Sequence, residues 1–400
     1  MVDAVDRLAA LPDELVLAIF AECAPAQLCA IGSTCHRLKA ISRDDHVWRR
    51  CYTARWRHPH QAVAPPPGWR ADFARRHVQD ARVAGLLRSL KQSDARASEV
   101  AWSLLLDLGM EVFDEVLRLA DVGEEEAENA LLGLNQAAVR AEWHELVRRA
   151  DAPAAGEAAP HVEDGALLLV RFYEEGVETL RTPGAAAAEV SAELDAMAAR
   201  LDARLPPTRE PVEVVKELAE MMFKSEGFKG NEEDYYAASN SLLDHVLRAR
   251  TGIPISLSVV FAAVCRRVGV VMDAIGLPGH FLLGIKGSAG IFVDVFHHGT
   301  LLDLAQCQAI TRSYGIPWSD EMVTPVPVSE VWARQVRNLL NCFQKKGDLA
   351  QSIRLQALLS KHNRRAVLRP GTEAGGLLAA GTDAGPDLQR LLSLVLQMGQ

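Results

Sequence analysis

The chain has 400 residues, of which 49% are hydrophobic and 24% charged, so it is long enough to fold into two or three domains. Its net charge of −9 argues against a surface that binds nucleic acid. The sequence contains no stretch of about 18 uncharged apolar residues, and its first residues do not resemble a signal peptide, so we expect no membrane partner. Seven cysteines without a Cys-x-x-Cys pair predict reduced thiols, a cytoplasmic or nuclear location, and no metal ion or cofactor.

The first predicted helices lie near the N-terminus, where Leu11-Pro12-Asp13-Glu14-Leu15 opens an apolar pattern that runs to Trp48. Proline is tolerated in the first turn of a helix, and acidic side chains there interact favourably with the helix dipole. The apolar positions predict three short helices, and about 45 residues are too few to bury all of that surface. The segment therefore needs a partner.

Residues 8–52 resemble an F-box, most specifically in the Leu-Pro-x-Glu-Leu opening and the Ile19-Phe20 pair that follows it. The resemblance implies docking onto the Skp adaptor and, through it, onto the cullin of a ubiquitin ligase. By the same resemblance, the contact residues are Leu11, Pro12, Leu15, Ile19 and Phe20. The alternative is an ordinary N-terminal helical hairpin that packs on the rest of the chain.

Residues 65–150 form a predicted helical linker region. Helical periodicity covers about 70–90, 96–107, 110–120, 124–134 and 137–150. Nothing in this region indicates catalytic chemistry, and its short basic runs are typical of solvated helix faces. A loop rich in alanine and proline follows, and a further helix is predicted around 186–203.

The candidate chemistry lies between residues 227 and 294. Apolar residues at helical spacing predict a helix from about Ser256 to Val268 that ends at Gly269 and buries one face. His280 opens a predicted strand and Asp294 lies on the next one, after a short turn, so the two side chains should lie close together. A helix N-terminus, a histidine and an aspartate in this order are typical of a papain-like catalytic triad.

This part of the chain resembles the SirB proteins, which have a transglutaminase-like domain. The residues that carry the resemblance are Phe228-Lys229-Gly230-Asn231, Asn240-Ser241, Gly252-Ile253-Pro254-Ile255, Pro278-Gly279-His280-Phe281 and Asp294. The resemblance implies a papain-like α+β core within a domain that covers residues 155–310. Ordinary members of the transglutaminase-like group begin the helix with a nucleophilic cysteine, but Pro254, Ile255 and Ser256 stand there in this chain.

Three roles remain open for Ser256, His280 and Asp294. They form a vestigial triad in which His280 and Asp294 are a buried hydrogen-bonded pair, or line a ligand pocket without chemistry. Alternatively, the chain is a hydrolase or acyl-transfer enzyme in which Ser256 is the nucleophile, His280 the base and Asp294 the group that orients it. Cys265 lies about two turns into the helix and cannot take the place of the missing cysteine.

Residues 325–365 predict two helices with Gly347 at the break, a hairpin that resembles a single tetratricopeptide unit. Residues 366–400 are predicted to be mostly disordered because glycine and alanine dominate much of the segment. The sequence as a whole predicts a mostly helical α+β protein. The leading hypothesis is a substrate-recognition subunit of a Skp–cullin–F-box ligase whose degenerate transglutaminase-like domain binds an unknown protein substrate.

Overall fold

The computed structural model describes residues 7–8, 10–57, 68–91, 95–278 and 280–359. The chain divides into two compact units, Met1–Asn135 and Gln136–Gln400. The helices of the described residues, in chain order, are α1 Asp13–Ala21, α2 Pro25–Gly32, α3 His36–Ile41, α4 Asp45–Arg55, α5 Trp69–Leu90, α6 Ala95–Leu108, α7 Phe113–Asp121, α8 Glu125–Asp151, α9 Val162–Phe172, α10 Val177–Leu180, α11 Ala185–Asp202, α12 Pro211–Ala219, α13 Leu243–Ala249, α14 Pro254–Arg267, α15 Leu304–Ser313, α16 Val328–Lys346 and α17 Leu349–Leu359. No helix among these residues is both long and apolar enough to cross a membrane.

Short strands and tighter helical turns complete the description. The strands of the described residues are β1 Lys229–Gly230, β2 Thr251–Gly252, β3 Met272–Ile275, β4 Leu282–Ile285, β5 Phe292–Asp294 and β6 Thr300–Leu302. The 3₁₀ turns are Gly109–Val112, Ala238–Ser241 and Asp320–Val323, and a π-helical turn, Glu220–Ser225, extends α12. The mostly helical α+β class predicted from the sequence is confirmed.

The N-terminal segment forms four helices, α1 to α4, among its described residues, where the sequence predicted three. Helix α3 begins after Cys35, which is extended and whose thiol caps the helix by accepting the Leu38 N–H. The apolar core of this segment also includes two residues that lie beyond α4 in the chain. Its buried members are Val16, Phe20, Leu28, Leu38, Val47, Trp48, Trp56 and Phe73.

Phe73 of α5 contacts two tryptophans of that core. Its ring centroid lies 5.2 Å from that of Trp48 and 4.9 Å from that of Trp56, both in edge-on geometry. The missing partner of the N-terminal helices is therefore supplied in part by the next helix of the same unit. Of the linker helices, α8 is one continuous helix from Glu125 to Asp151, where the sequence predicted two.

The second unit is built around α14. Eleven consecutive residues of this helix, from Ile255 to Cys265, are buried. The sequence predicted one buried face, and the structure buries the helix on all sides over this stretch, as is typical of an apolar helix in the interior of a domain. Helices α9, α11, α12, α13 and α16 and strands β3 and β4 pack against it. The N-terminus of α14 is therefore enclosed within the unit.

The sheet that holds the candidate residues is antiparallel, with strand order β3-β4-β5-β6 among the described strands. In the β4-β5 hairpin, Leu283 pairs with Val293 and Gly284 with Phe292. This is the hairpin that the alternating apolar pattern predicted. Strands β3 and β6 extend the sheet on either side, and β1 and β2 form a separate parallel pair.

The predicted C-terminal hairpin consists of α16 and α17, with Gly347 at φ +71° at the end of α16. It packs within the second unit through Trp332, which is fully buried and donates its indole N–H to the Val162 carbonyl at 2.8 Å. Gly165 makes this contact possible, because a Cβ at that position would lie 2.5 Å from the Trp332 ring. The last residues of the predicted hairpin and the predicted disordered tail lie outside the described residues.

Candidate functional site

The start of α14 is fixed by Ser256, which lies in the third position of the helix and is fully buried. Its hydroxyl accepts the Ile253 N–H at 3.1 Å and donates to the Asn240 carbonyl at 2.6 Å. No hydrogen bond joins Ser256 to His280 in the part of the chain that the structure describes. The hydroxyl therefore caps the helix, and its proton is engaged by a backbone carbonyl rather than by a base.

Asn240 connects that helix start to the preceding loop. Its side-chain amide donates to the carbonyls of Asp234, at 2.7 Å, and Tyr235, at 3.2 Å, and its side-chain oxygen accepts from Asn231 at 3.0 Å. The two asparagines of the sequence pattern thus hold the loop from 231 to 240 in place. The residue before Asn231 must be glycine for steric reasons, because a Cβ at Gly230 would lie 2.4 Å from the ring of Phe296.

His280 and Asp294 lie together, as the sequence predicted. The Nε2 atom of His280 is 2.7 Å from Oδ2 of Asp294, and both residues are buried. The residue before His280 lies outside the described residues. Of the three predicted triad members, the structure therefore joins the histidine and the aspartate and leaves the serine in a cap.

A second histidine, which the sequence reasoning missed, completes this cluster. His297 Nδ1 is 2.7 Å from the same Oδ2 atom of Asp294, and the His297 backbone N–H donates to Oδ1 at 3.1 Å. The rings of His280 and His297 are stacked, with centroids 5.6 Å apart. The spacing Asp-x-x-His after a strand was the available signal, because an aspartate often binds the backbone N–H of a nearby residue in a turn.

The two imidazoles determine the charge of Asp294. Burial raises the pKa of this carboxyl group, but its hydrogen bonds to His280 and His297, and the charge that these rings carry when they are protonated, outweigh burial, so the pKa lies below the usual value of 3.8. Arg334 adds a further contact by donating to the His280 carbonyl at 3.2 Å. Burial lowers the pKa of Arg334, whose guanidinium also lies 5.3 Å from the centre of the Phe281 ring.

Cys265 offers no alternative nucleophile. It is fully buried on α14, and this burial raises the pKa of its thiol well above the usual range. Because the thiolate is the reactive form, a thiol in this setting is inert. What the cluster does offer is an ionised carboxylate that orients two imidazoles, one buried and one with 58% of its side chain exposed.

The predicted adaptor-binding residues lie on and just before α1 in the first unit. Leu15 and Ile19 are 53% and 41% exposed, and because they are four residues apart on one helix they lie next to each other on its surface. Pro12 is exposed and Leu11 is half-buried. Phe20 is fully buried in the core of the segment, so its assignment to the contact surface is not supported by its position.

Two protein-family models match the chain. Residues 8–54 match the F-box-like family, and residues 188–337 match the transglutaminase-like superfamily. The predicted ranges for these two segments were 8–52 and 155–310, and the second match extends into α16. No solved structure matches the chain.

Individual relatives fall into two groups. A UPF0162 protein of Xylella fastidiosa (strain Temecula1) is 32% identical over 182 residues, which cover 43% of this chain and 65% of that protein. F-box only protein 21 of Mus musculus and of Homo sapiens are each 36% identical over 135 residues, which cover 30% of this chain and 20% of those proteins. The chain thus spans less than two thirds of the length of these relatives. The chain therefore combines an F-box-like segment with a transglutaminase-like core, and it is similar to F-box only protein 21 and to UPF0162 proteins.

Proposed function

We propose that this protein is a substrate-recognition subunit of a Skp–cullin–F-box ubiquitin ligase. In this proposal the F-box-like segment binds the Skp adaptor, and the transglutaminase-like domain binds a protein substrate. The observation that carries the proposal is the exposed pair Leu15 and Ile19 on α1 of the F-box-like segment. The described cysteines are all free thiols, which favours action in the reducing cytoplasm or nucleus.

The two faces of α1 have different environments. Val16 and Phe20 are fully buried and attach the helix to its own core, whereas Leu15 and Ile19 project from the other side. Complete burial of one such side chain contributes about 1.5–3 kcal/mol. The pair can therefore supply a substantial part of the binding free energy of a protein interface, and it can be removed without loss of core packing.

Binding of the full chain to purified Skp adaptor tests the first half of the proposal. We expect Leu15→Ala/Ile19→Ala to weaken binding by at least about tenfold, which corresponds to roughly 1.4 kcal/mol. The matched control is Val100→Ala/Leu104→Ala, because these side chains are also four residues apart on one helix and are 53% and 38% exposed. The control should bind as the wild type does. Undiminished binding of the α1 double variant would reject this role for the segment.

The second half of the proposal assigns substrate binding to the surface beside the His280–Asp294 pair. Tyr235 and Tyr236 are 41% and 46% exposed there, and the Tyr235 ring lies 6.5 Å from that of Phe296. Exposed tyrosines are common at the energetic centres of protein interfaces. The capped Ser256 and the inert Cys265 favour binding over catalysis at this surface.

Substrate binding is tested by identifying the ubiquitylated proteins that become more abundant in cells when the wild-type chain is expressed. When Tyr235→Ser/Tyr236→Ser is expressed instead, we expect no increase in those ubiquitylated proteins, although the variant still binds the Skp adaptor. Tyr314→Ser is the control, since this tyrosine is 56% exposed and lies on a different segment. An unchanged set of ubiquitylated proteins in the double variant would contradict the assignment of the surface.

The alternative function, a hydrolase that uses Ser256, is tested separately. A fluorophosphonate probe labels a serine only when a base activates its hydroxyl. We expect no label at Ser256, because its hydrogen bonds are made with backbone groups at the start of α14. Label that appears in the wild type and disappears in Ser256→Ala would establish the enzyme and exclude the proposal of a catalytically degenerate domain.

A further inference from the structure

A vestigial triad would need only one histidine beside its aspartate. The cluster contains two, because both His280 and His297 lie beside Asp294. Each residue offers one ligand atom, and the three atoms lie within 4.8 Å of one another. The two nitrogen–oxygen distances within the set are both 2.7 Å. Imidazole nitrogen and carboxylate oxygen together are a common ligand set for Zn²⁺ and related divalent transition metals.

We propose that these three side chains bind a divalent transition-metal ion such as Zn²⁺. Metal–ligand bonds of about 2.0–2.1 Å place neighbouring donor atoms roughly 2.9–3.4 Å apart in tetrahedral or octahedral geometry. The observed nitrogen–oxygen distances need to open by only a few tenths of an ångström, and the two ring nitrogens, which lie within 4.8 Å of each other, need to take up the same separation. This proposal replaces the expectation from the sequence that the chain has no metal site.

The proton balance of metal binding is simple. In the metal-free cluster, the ring nitrogens that face Asp294 donate hydrogen bonds to its carboxylate. On metal binding, each neutral imidazole carries its proton on the other ring nitrogen, so that Nε2 of His280 and Nδ1 of His297 become ligands. Two hydrogen bonds are exchanged for metal–ligand bonds, and no net proton needs to be released.

The surroundings of the cluster suit this exchange. His280 and Asp294 are buried, and the Arg334 guanidinium binds the His280 carbonyl, so two of the three ligands are held in place. His297 is 58% exposed on its side chain, which gives the ion a path from solvent and allows the third ligand to adjust. Three protein ligands leave at least one coordination position for water or for a group of a bound partner.

Titration of the metal-free full chain with Zn²⁺ and with Co²⁺ tests the proposal. We expect saturable binding of one ion by calorimetry and a higher melting temperature in the presence of Zn²⁺. Substitution of the exposed ligand, His297→Gln, should weaken Zn²⁺ binding by at least about tenfold, because changes even outside the ligand set cost that much. The variant should still fold, since it removes no buried side chain.

His245→Gln is the matched control, because His245 is another exposed histidine of the same unit and lies 3.7 Å from the carboxylate of Asp244. Its Zn²⁺ affinity should equal that of the wild type. Absence of saturable binding in the wild type, or equal affinities of the wild type and His297→Gln, would overturn the proposal. A strong thiolate band in the absorption spectrum of the Co²⁺ complex would also overturn it, because the ion would then be held by cysteines.

Discussion

Replacement of Asp294 by alanine tests the interpretation of its cluster as a structural device. The carboxylate is 4% exposed and accepts hydrogen bonds from three donors: His280 Nε2 at 2.7 Å, His297 Nδ1 at 2.7 Å and the His297 backbone N–H at 3.1 Å. In Asp294→Ala, the buried His280 loses its acceptor, whereas the exposed ring of His297 can turn to water. We therefore expect a loss of stability that arises mainly from His280.

The magnitude follows from the cost of leaving one buried donor without a partner, which is about 1–3 kcal/mol. For a domain of roughly 150–250 residues, each kcal/mol lowers the melting temperature by about 2–4 °C. Asp294→Ala should therefore melt about 2–12 °C below the wild type. Adaptor binding through the F-box-like segment should not change, because Leu15 and Ile19 belong to the other unit.

Thermal unfolding followed by circular dichroism, in a buffer that contains a chelator, measures this effect without a contribution from metal binding. Asp195→Ala is the control, since its side chain is 67% exposed in an ion pair with Arg267. That pair should contribute less than about 1 kcal/mol. An unchanged melting temperature in Asp294→Ala, together with loss of a turnover activity, would refute the structural interpretation and support catalysis.

Ser256→Ala should destabilise the chain by about 1–2 kcal/mol in urea unfolding, because the hydroxyl that caps α14 is lost. Gly165→Ala should cost about 1–3 kcal/mol in the same measurement, since its Cβ would lie 2.5 Å from the buried ring of Trp332. Burial raises the pKa of Glu163, but Arg266 and Arg267 more than compensate, and the pKa lies below the usual 4.5. The stability that this depressed pKa contributes is therefore present above about pH 4.5 and is lost as the pH falls through the folded-state pKa, so Glu163→Gln should flatten the acid limb of the pH–stability curve.

Each of these three expectations has its own contradicting result. Ser258→Ala is the control for the cap: its hydroxyl is buried on the same helix without a hydrogen-bond partner among the described residues, so its loss should be neutral or stabilising. Equal effects at 256 and 258 would contradict the capping role. Gly85→Ala, with no atom near the added Cβ, should be tolerated, and equal tolerance at Gly165 would contradict the close packing. Parallel pH profiles of Glu163→Gln and the wild type would contradict the ion-pair argument.

The features that the sequence determined by itself are local in origin. The leucine–proline opening of α1, the run of apolar residues in α14 and the glycine at the turn between α16 and α17 act through neighbouring residues, so they indicated helices that the structure contains. The alternating pattern on either side of the turn between β4 and β5 predicted the hairpin, and with it the contact of His280 with Asp294. Such patterns depend on the periodicity of apolar residues and on the residue types at turns, and both can be read from the sequence.

Tertiary structure decided which side chains are available for function. The resemblance to an F-box placed Ile19 and Phe20 in one contact surface, but packing leaves the first exposed and buries the second. Ser256 appeared as the nearest hydroxyl to the expected nucleophile, but the approach of the loop at Asn240 makes it a cap. His297 joined the cluster because the turn after β5 brings its backbone N–H within 3.1 Å of Asp294 Oδ1 and its ring within 2.7 Å of Oδ2. These outcomes depend on contacts between segments that are distant in sequence or on the conformation of a single turn, and the spacing of residues specifies neither.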